Sequence, residues 1–274
     1  MNGKPQYIKC RMTKKSGGYR EIYIPDMNTK KAQREILNLF QEENISYLPC
    51  VMGFRKGMSI VENAKAHIGH KYLIHYDIVD FFDSITDKRL MAVLEKYAKN
   101  SVKHKNELGV VEQIVKWTTV HGHLIQGAPT SPLFSNLVCE NMDNRFSKLA
   151  NQIGASYTRY ADDIVISGDR NILEYQTLFK RIIRTEKFRV NHRKTSISVL
   201  SPKRKYHKVT GLLVGDKVLI DRQYIQRLQE EIVSYNAIPQ DESTLRRILG
   251  KISFVQMLAP RRANQLRNLL NYVC

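Results

Sequence analysis

The chain is predicted to adopt an α+β fold, because strand-like and helical segments alternate over residues 1–220 and purely helical patterns follow. Residues 6–25 carry two strand-like runs around a Ser-Gly-Gly turn, which predicts a hairpin. Residues 72–76 are apolar and predict a buried strand. Two further runs, 156–160 and 164–167, flank a short polar turn and predict a second hairpin.

Helices are predicted between and after these strands. Asn28 or Thr29 is expected to cap the first helix, which presents Ala32, Ile36 and Phe40 on one face. A capping box at 59–62 begins the next helix. Further helices are predicted at 86–97, 108–119, 131–150 and 172–187, with a last hairpin at Gly215-Asp216 before a helical bundle that starts near residue 221.

Acidic residues stand at two of the predicted strand ends. Asp162 and Asp163 follow Tyr160-Ala161 at the tip of the second hairpin, and Asp77 ends the apolar strand, ahead of Phe81 and Phe82. An acid in such a setting is costly to desolvate unless it is paired or binds a metal. Carboxylates that bridge two Mg²⁺ ions are typical of phosphoryl transfer. The alternative, for Asp-Asp alone, is a solvated surface turn.

The charge of the chain predicts a polyanionic partner. Its 274 residues carry a net charge of +18, from 44 basic and 26 acidic residues. The segment from Lys180 to Lys208 contains eleven Lys or Arg residues and one acidic residue, Glu186. This excess favours a nucleic-acid-binding surface over a merely solvated surface. No apolar stretch approaches 18 residues and no signal peptide is visible, so no membrane association is expected. The four cysteines are far apart and indicate reduced thiols in a cytoplasmic protein.

The order of the motifs resembles that of a reverse transcriptase. Asp77 with its aromatic pair and the Tyr-Ala-Asp-Asp hairpin resemble the palm motifs. Three further segments follow the family order: 126–132 (QGAPTSP), 191–195 (NHRKT) and 207–212 (HKVTGL). The resemblance covers roughly residues 10 to 270, and five motifs in order are far more specific than one. Asn63-Ala64-Lys65-Ala66-His67 and Val209-Thr210-Gly211 resemble the signatures of bacterial retron reverse transcriptases.

This resemblance implies a right-hand polymerase with fingers (1–70), palm (71–220, with a fingers-type insertion around 98–125) and a helical thumb (221–274). It implies catalysis by Asp77, Asp162 and Asp163, which with Ile78 hold two Mg²⁺ ions. The nucleotide-binding residues that it implies are Arg20 (with Lys14 or Lys15 nearby), Phe82 as a steric gate, Gln126, Gly127 and Lys194. The candidate RNA contacts are Asn63, His67, Val209, Thr210, Gly211, Arg246, Arg247 and Lys251. For Asn63 and His67, a buried polar pair would give the same pattern.

The retron resemblance also implies partners and a product. Such enzymes bind a cognate structured noncoding RNA (of the msr-msd type) and start DNA synthesis with dNTPs from a guanosine 2′-hydroxyl in it. The product is a branched RNA–DNA molecule, msDNA, made within an anti-phage defence system that has a separate effector protein. The alternatives are a group II intron-like or diversity-generating reverse transcriptase, an RNA-dependent RNA polymerase, and a non-catalytic RNA-binding scaffold. Phe82 argues against the RNA polymerase, and the intact acids argue against the scaffold.

Overall fold

A computed structural model describes residues 3–13, 17–42, 45–100, 109–238 and 241–270. It contains antiparallel sheets and helices, as the sequence predicts. The strands are β1 Tyr7–Thr13, β2 Tyr19–Pro25, β3 Tyr72–Asp77, β4 Thr119–Val120, β5 His123–Leu124, β6 Ala155–Tyr160, β7 Asp163–Gly168, β8 Ser196–Val199, β9 His207–Val209, β10 Leu212–Val214 and β11 Val218–Leu219. The helices are α1 Met27–Glu42, α2 Ile60–Lys65, α3 Asp87–Asn100, α4 Val110–Thr118, α5 Ser131–Ile153, α6 Gln176–Thr185, α7 Arg222–Ala237, α8 Glu242–Gln256 and α9 Pro260–Leu270.

The central sheet has four antiparallel strands in the order β6-β7-β3-β8. Its side chains alternate between two cores, as the pleat requires. Ile74 and Ile166 belong to the larger core, which includes Phe134 of α5. Leu73 and Val165 belong to a second core with residues of α2, β9 and β10. The sheet is therefore covered on both faces, and each fully buried aliphatic side chain stabilises it by about 1.5–3 kcal/mol.

The first hairpin forms from β1 and β2, as predicted, and its turn residues 14–16, with Lys14 and Lys15, lie outside the described residues. The prediction that Asn28 or Thr29 caps α1 is wrong. The helix begins at Met27, and Asp26 accepts a hydrogen bond from the Thr29 backbone N–H at 2.8 Å. A carboxylate at this position accepts a hydrogen bond from an otherwise unpaired backbone amide. Its negative charge also interacts favourably with the positive end of the helix dipole.

The other predicted helices form with small changes in length. The capping box is present, since the Ser59 hydroxyl accepts from the Val61 backbone N–H and donates to Glu62. Pro132 lies in the first turn of α5, which ends at the left-handed Gly154. The helix predicted at 172–187 divides into a 3₁₀ turn, Ile172–Tyr175, and α6.

The last three helices have a core of their own. Asp221 and Asp241 cap α7 and α8 through hydrogen bonds to backbone amides. Eight apolar residues on α7, α8 and α9 form the buried centre: Leu228, Ile232, Ile248, Ile252, Val255, Ala263, Leu266 and Leu270. The bundle expected from residue 221 is present, while the boundaries at 70 and 220 stay predictions. Within the described ranges, no helix combines the length and the apolar character needed to cross a membrane.

Candidate active site

The three predicted catalytic acids come together at one end of the central sheet. In the β3–β7 ladder, Asp77 pairs directly with Asp163, and Asp162 lies in the turn beside them. The Ile78 backbone N–H donates to the Asp162 carbonyl at 3.1 Å, which joins the end of β3 to the turn. Ala161 supplies the reversal, with φ of 57° in the left-handed region. The antiparallel pairing thus brings Asp77 to the same end of the sheet as the adjacent pair Asp162 and Asp163, which are far from it in sequence.

Polar partners surround the Asp77 carboxylate, which is 5% exposed. The Lys194 Nζ donates to Asp77 Oδ2 at 2.9 Å, and Asn191 Nδ2 donates to Oδ1 at 3.0 Å. The hydrogen bond to Asp77 is the largest cause of the raised pKa of Lys194. Lys194 therefore stays cationic next to the site, and Asn191 is a site residue that sequence reasoning did not single out.

Asp163 and Asp162 differ in their surroundings. His75 Nε2 lies 2.9 Å from Asp163 Oδ1. Burial opposes protonation of His75, but the hydrogen bond and charge of Asp163 and the charge of Asp77 outweigh it and raise the His75 pKa. Burial first, and then the neighbouring charge of Asp163, raise the pKa of Asp162 to about 6. Three carboxylates in one place repel one another, which makes this edge a favourable site for a cation.

The donors at this edge fit Mg²⁺, which prefers carboxylate and carbonyl oxygens. Among the described residues, no three acidic, histidine or cysteine side chains converge as a complete ligand set. Asp77 and Asp163 are instead hydrogen-bonded to Lys194 and His75. Mg²⁺ usually takes one or two protein carboxylates and completes its shell with water and substrate phosphate. The Ile78 side chain is apolar and buried, so the only metal ligand that Ile78 can offer is its backbone carbonyl oxygen.

A buried ion pair fixes the turn that carries Asp162 to α5, and sequence reasoning missed it. Arg159 and Asp143 are both wholly buried and joined by two short contacts, Nε–Oδ1 at 2.8 Å and Nη2–Oδ2 at 2.7 Å. Arg159 Nη1 donates to Asn136 Oδ1 at 3.0 Å and to the Ala161 carbonyl at 3.2 Å. Tyr157 donates to Asp143 at 2.6 Å. The turn that carries Asp162 is therefore anchored to α5, because Arg159 links the Ala161 carbonyl to Asp143.

The predicted nucleotide-binding residues other than Lys194 lie on the first hairpin, beside Phe81 and in the loop before α5. Phe82 is half-buried, with its ring centroid 5.3 Å from that of Phe81. Tyr23 of β2 donates its backbone N–H to the Gln126 carbonyl at 3.0 Å, which ties the first hairpin to the predicted pocket loop. Gly127 has φ of 112°, and a Cβ there would lie 2.6 Å from the Tyr23 carbonyl oxygen, so glycine is required. Arg20 is exposed on β2, three residues before Tyr23.

The retron signature residues hold the structure together. His67 is fully buried, with Nδ1 2.7 Å from Ser167 Oγ and Nε2 2.7 Å from Thr158 Oγ1. Burial lowers its pKa to about 3, so it is neutral. Asn63 is also fully buried, and its Nδ2 donates to Thr210 Oγ1 at 3.3 Å.

The structure therefore corrects the prediction that these two side chains contact RNA directly. Asn63 joins α2 to the turn between β9 and β10, and His67, in the turn that follows α2, contacts the central sheet. Val209 is buried in the same core. Thr210 is half-buried, Gly211 is exposed, and both have positive φ, at 44° and 88°. Of the five signature residues predicted to contact RNA, Thr210 and Gly211 are the two that reach solvent.

The predicted basic contacts on α8 are exposed or half-buried and partly neutralised. Arg246 pairs with Glu242 at 2.6 Å, and both side chains are 74% exposed. Arg247 and Lys251 both pair with Glu231 of α7. The exposed Arg246–Glu242 pair is weak, so Arg246 remains able to exchange a carboxylate for a phosphate.

Comparison with known proteins agrees with this site. Residues 12–240 match the reverse transcriptase (RNA-dependent DNA polymerase) family. The retron Ec86 reverse transcriptase of Escherichia coli is 30% identical over 257 residues, which cover 93% of this chain and 75% of that protein. The chain belongs to the retron reverse transcriptases. RNA-directed DNA polymerase activity follows from this membership, and the family predicted from the motifs is confirmed.

Other matches extend the comparison. The retron Mx65 reverse transcriptase of Myxococcus xanthus is 29% identical to this chain over 273 residues. The aligned region covers 95% of this chain and 63% of the Mx65 protein. A Candida albicans telomerase structure covers 97% of the chain at a TM-score of 0.56 and 12% identity. A foamy viral protease-reverse transcriptase covers 96% at a TM-score of 0.52 and 15% identity. The chain spans 57% and 40% of these two structures, which confirm the right-hand polymerase fold.

Proposed function

We propose that the chain binds a cognate structured noncoding RNA and copies part of it into DNA from a guanosine 2′-hydroxyl within that RNA. Its product is branched msDNA, made in the cytoplasm as part of an anti-phage defence system with a separate effector protein. Retron relatives over more than nine-tenths of the chain support this. So does the shared fold with a telomerase solved with a fragment of telomeric RNA. The net charge of +18 suits an RNA and DNA partner.

The observation that carries the catalytic proposal is the convergence of Asp77, Asp162 and Asp163 at one sheet edge. These residues and the Ile78 carbonyl would hold two Mg²⁺ ions, which activate the priming hydroxyl and offset the charge of the leaving pyrophosphate. Lys194 contributes a fixed positive charge beside the leaving group and an N–H that can donate a proton. Its hydrogen bond to Asp77 raises the pKa of the amine and keeps it protonated, and an anionic triphosphate in place of the carboxylate would favour the protonated form as well.

The remaining residues select and orient the substrates. Arg20 on the first hairpin contacts the triphosphate, while Gln126 and Gly127 line the nucleotide pocket, linked to that hairpin through the Tyr23 amide. Phe82 packs against the sugar and rejects a ribose 2′-hydroxyl by steric clash.

The bound RNA and its DNA copy are gripped elsewhere. Arg246, Arg247 and Lys251 contact the phosphates of the duplex, since arginine and lysine suit a shape-based grip on the backbone. The turn at Thr210 and Gly211 approaches the RNA, and the buried Asn63 side chain holds this turn through its hydrogen bond to Thr210.

Copurified nucleic acid tests the proposal directly. The full chain is expressed with its neighbouring genomic sequence, and the bound nucleic acid is treated with RNase, DNase and a debranching enzyme. We expect DNA of fixed length, linked to RNA and shortened by debranching. Linear DNA made only from an added primer–template would overturn the retron priming proposal while leaving polymerase activity intact.

The acids are tested with a matched control. Asp162→Asn/Asp163→Asn should abolish DNA synthesis and retain RNA binding, because the amides keep the shape and lose the negative charge. Asp216→Asn changes an exposed acid at another hairpin turn and should leave synthesis unchanged. DNA synthesis by the double variant would show that the assignment of the acids is wrong.

A further inference from the structure

A short segment before α2 is fastened to the strand that leads into the catalytic turn. Val51 forms a parallel bridge with Arg159, and the backbone N–H groups of Met52 and Gly53 both donate to the Arg159 carbonyl, at 2.8 and 3.3 Å. Gly53 lies so close to the turn that a Cβ would be 2.5 Å from the Ala161 backbone nitrogen. The residue that follows, Phe54, is thus placed beside the acids by backbone contacts.

Phe54 has an unusual backbone conformation for its type. Its φ is 59°, in the left-handed region that disfavours bulky L side chains. Its side chain is also 42% exposed, so burial of the ring does not account for the placement. Strained residues held by their surroundings cluster at functional sites, which makes the contacts of this ring informative.

The Phe54 ring contacts the predicted sugar gate. Its centroid lies 6.2 Å from that of Phe82, with the planes tilted by 39°. Phe82 also contacts Phe81 at 5.3 Å, and Phe81 stacks on Phe188 at 5.8 Å. Phe81 and Phe188 are buried and form a fixed support. Phe82 is therefore held between a buried aromatic stack and the exposed ring of Phe54.

We propose that Phe54 is a specificity-determining residue, which braces the Phe82 ring so that it cannot move away from a ribose 2′-hydroxyl. This rests on the proposed gate role of Phe82. A gate discriminates by steric clash, and a clash persists only while the ring has nowhere to go. With Phe54 absent, Phe82 keeps its contact with Phe81 but can swing toward the vacated space, which admits the ribonucleotide.

Single-nucleotide incorporation tests the brace. The full chain and its variants extend a DNA primer on an RNA template, and kcat/KM is measured for a dNTP and the matching rNTP. Phe54→Gly removes the ring and suits the left-handed φ, so the fold is retained. We expect its dNTP preference to fall about three- to tenfold, the range that loss of one aromatic contact implies. Phe54→Tyr keeps the ring and should retain the preference.

The matched control is Tyr175→Ala. Tyr175 is 37% exposed and contacts Phe179 at 6.4 Å with a 39° tilt, the same kind of ring pair away from the acids. It should leave the dNTP preference unchanged. An equal fall in kcat/KM for both nucleotides in Phe54→Gly, with the preference intact, would overturn the brace.

A second comparison separates this inference from the gate itself. Phe82→Ala should lose more preference than Phe54→Gly, and adding Phe54→Gly to it should cause no further loss, because no gate remains to be braced. If Phe82→Ala discriminates normally, the gate is wrong and the brace falls with it. If Phe82→Ala loses preference and Phe54→Gly does not, the gate stands and the brace is wrong.

Discussion

Removal of the Asp143 carboxylate should destabilise the protein more than almost any surface change. Asp143→Ala deletes three hydrogen bonds from Arg159 and one from Tyr157, and the guanidinium keeps Asn136 Oδ1 and the Ala161 carbonyl as partners. Both charges are 0% exposed, so water cannot replace the lost carboxylate. Breaking a buried pair from one side costs about 3–5 kcal/mol, because a charge is left without its counterion.

The assay is urea unfolding followed by circular dichroism, with a surface ion pair as control. Glu242→Ala also removes a short Arg–carboxylate contact, at 2.6 Å, but its two side chains are 74% exposed. We expect that control to lose about 0.3–0.5 kcal/mol, as exposed helical pairs do. A loss below about 1 kcal/mol in Asp143→Ala, or one equal to the control, would refute the view that this pair anchors the turn that carries Asp162.

Two other changes have defined outcomes. Because the folded pKa of His67 is about 3 and the unfolded value is about 6.5, the unfolded state takes up the proton first, and stability falls as the pH drops below 6.5. Urea unfolding should show a loss of about 2 kcal/mol between pH 7 and 5 that His67→Gln does not share; equal slopes would contradict it. Gly53→Ala should lower polymerase activity and cost about 1–3 kcal/mol by displacing Ala161. Gly250→Ala, a helical glycine with open space around it, should instead stabilise by about 0.5–1 kcal/mol, and similar effects would contradict the close approach at Gly53.

The strands and the acids were predictable because their signals are local. An apolar run that ends in Asp77 and a hairpin that carries Asp162 and Asp163 are visible within a few residues each. The direct pairing of Asp77 with Asp163 is not visible locally, because the register depends on how β3 and β7 meet, and 85 residues lie between the two acids. The resemblance to reverse transcriptases predicted that Asp77, Asp162 and Asp163 lie together, which the hydrophobic periodicity alone could not predict.

Arg159 shows what local patterns hide. A charged residue in a strand is normally expected to face solvent, and Asp143 reads as a polar position on a long helix. Their mutual burial follows from the packing of α5 beneath β6, which neither segment encodes alone. His67 shows the reverse error, since a motif suggested contact with RNA while the fold gives the side chain two hydroxyl partners within the core.

The ion pairs near the site divide by exposure, and this division relates stability to function. Asp143 and Arg159 are both inaccessible, so their pair cannot exchange partners without unfolding the turn. Asp77 is also nearly buried, but its partner Lys194 is 51% exposed, so Lys194 can move into solvent when another cation takes its place beside Asp77. The Arg159–Asp143 pair is rigid and holds the turn in place, while the Lys194–Asp77 pair can exchange its cation. Together they allow the acids to keep their positions while their counterions change. On the proposed function, the same end of the sheet is stable without a substrate and able to accept one.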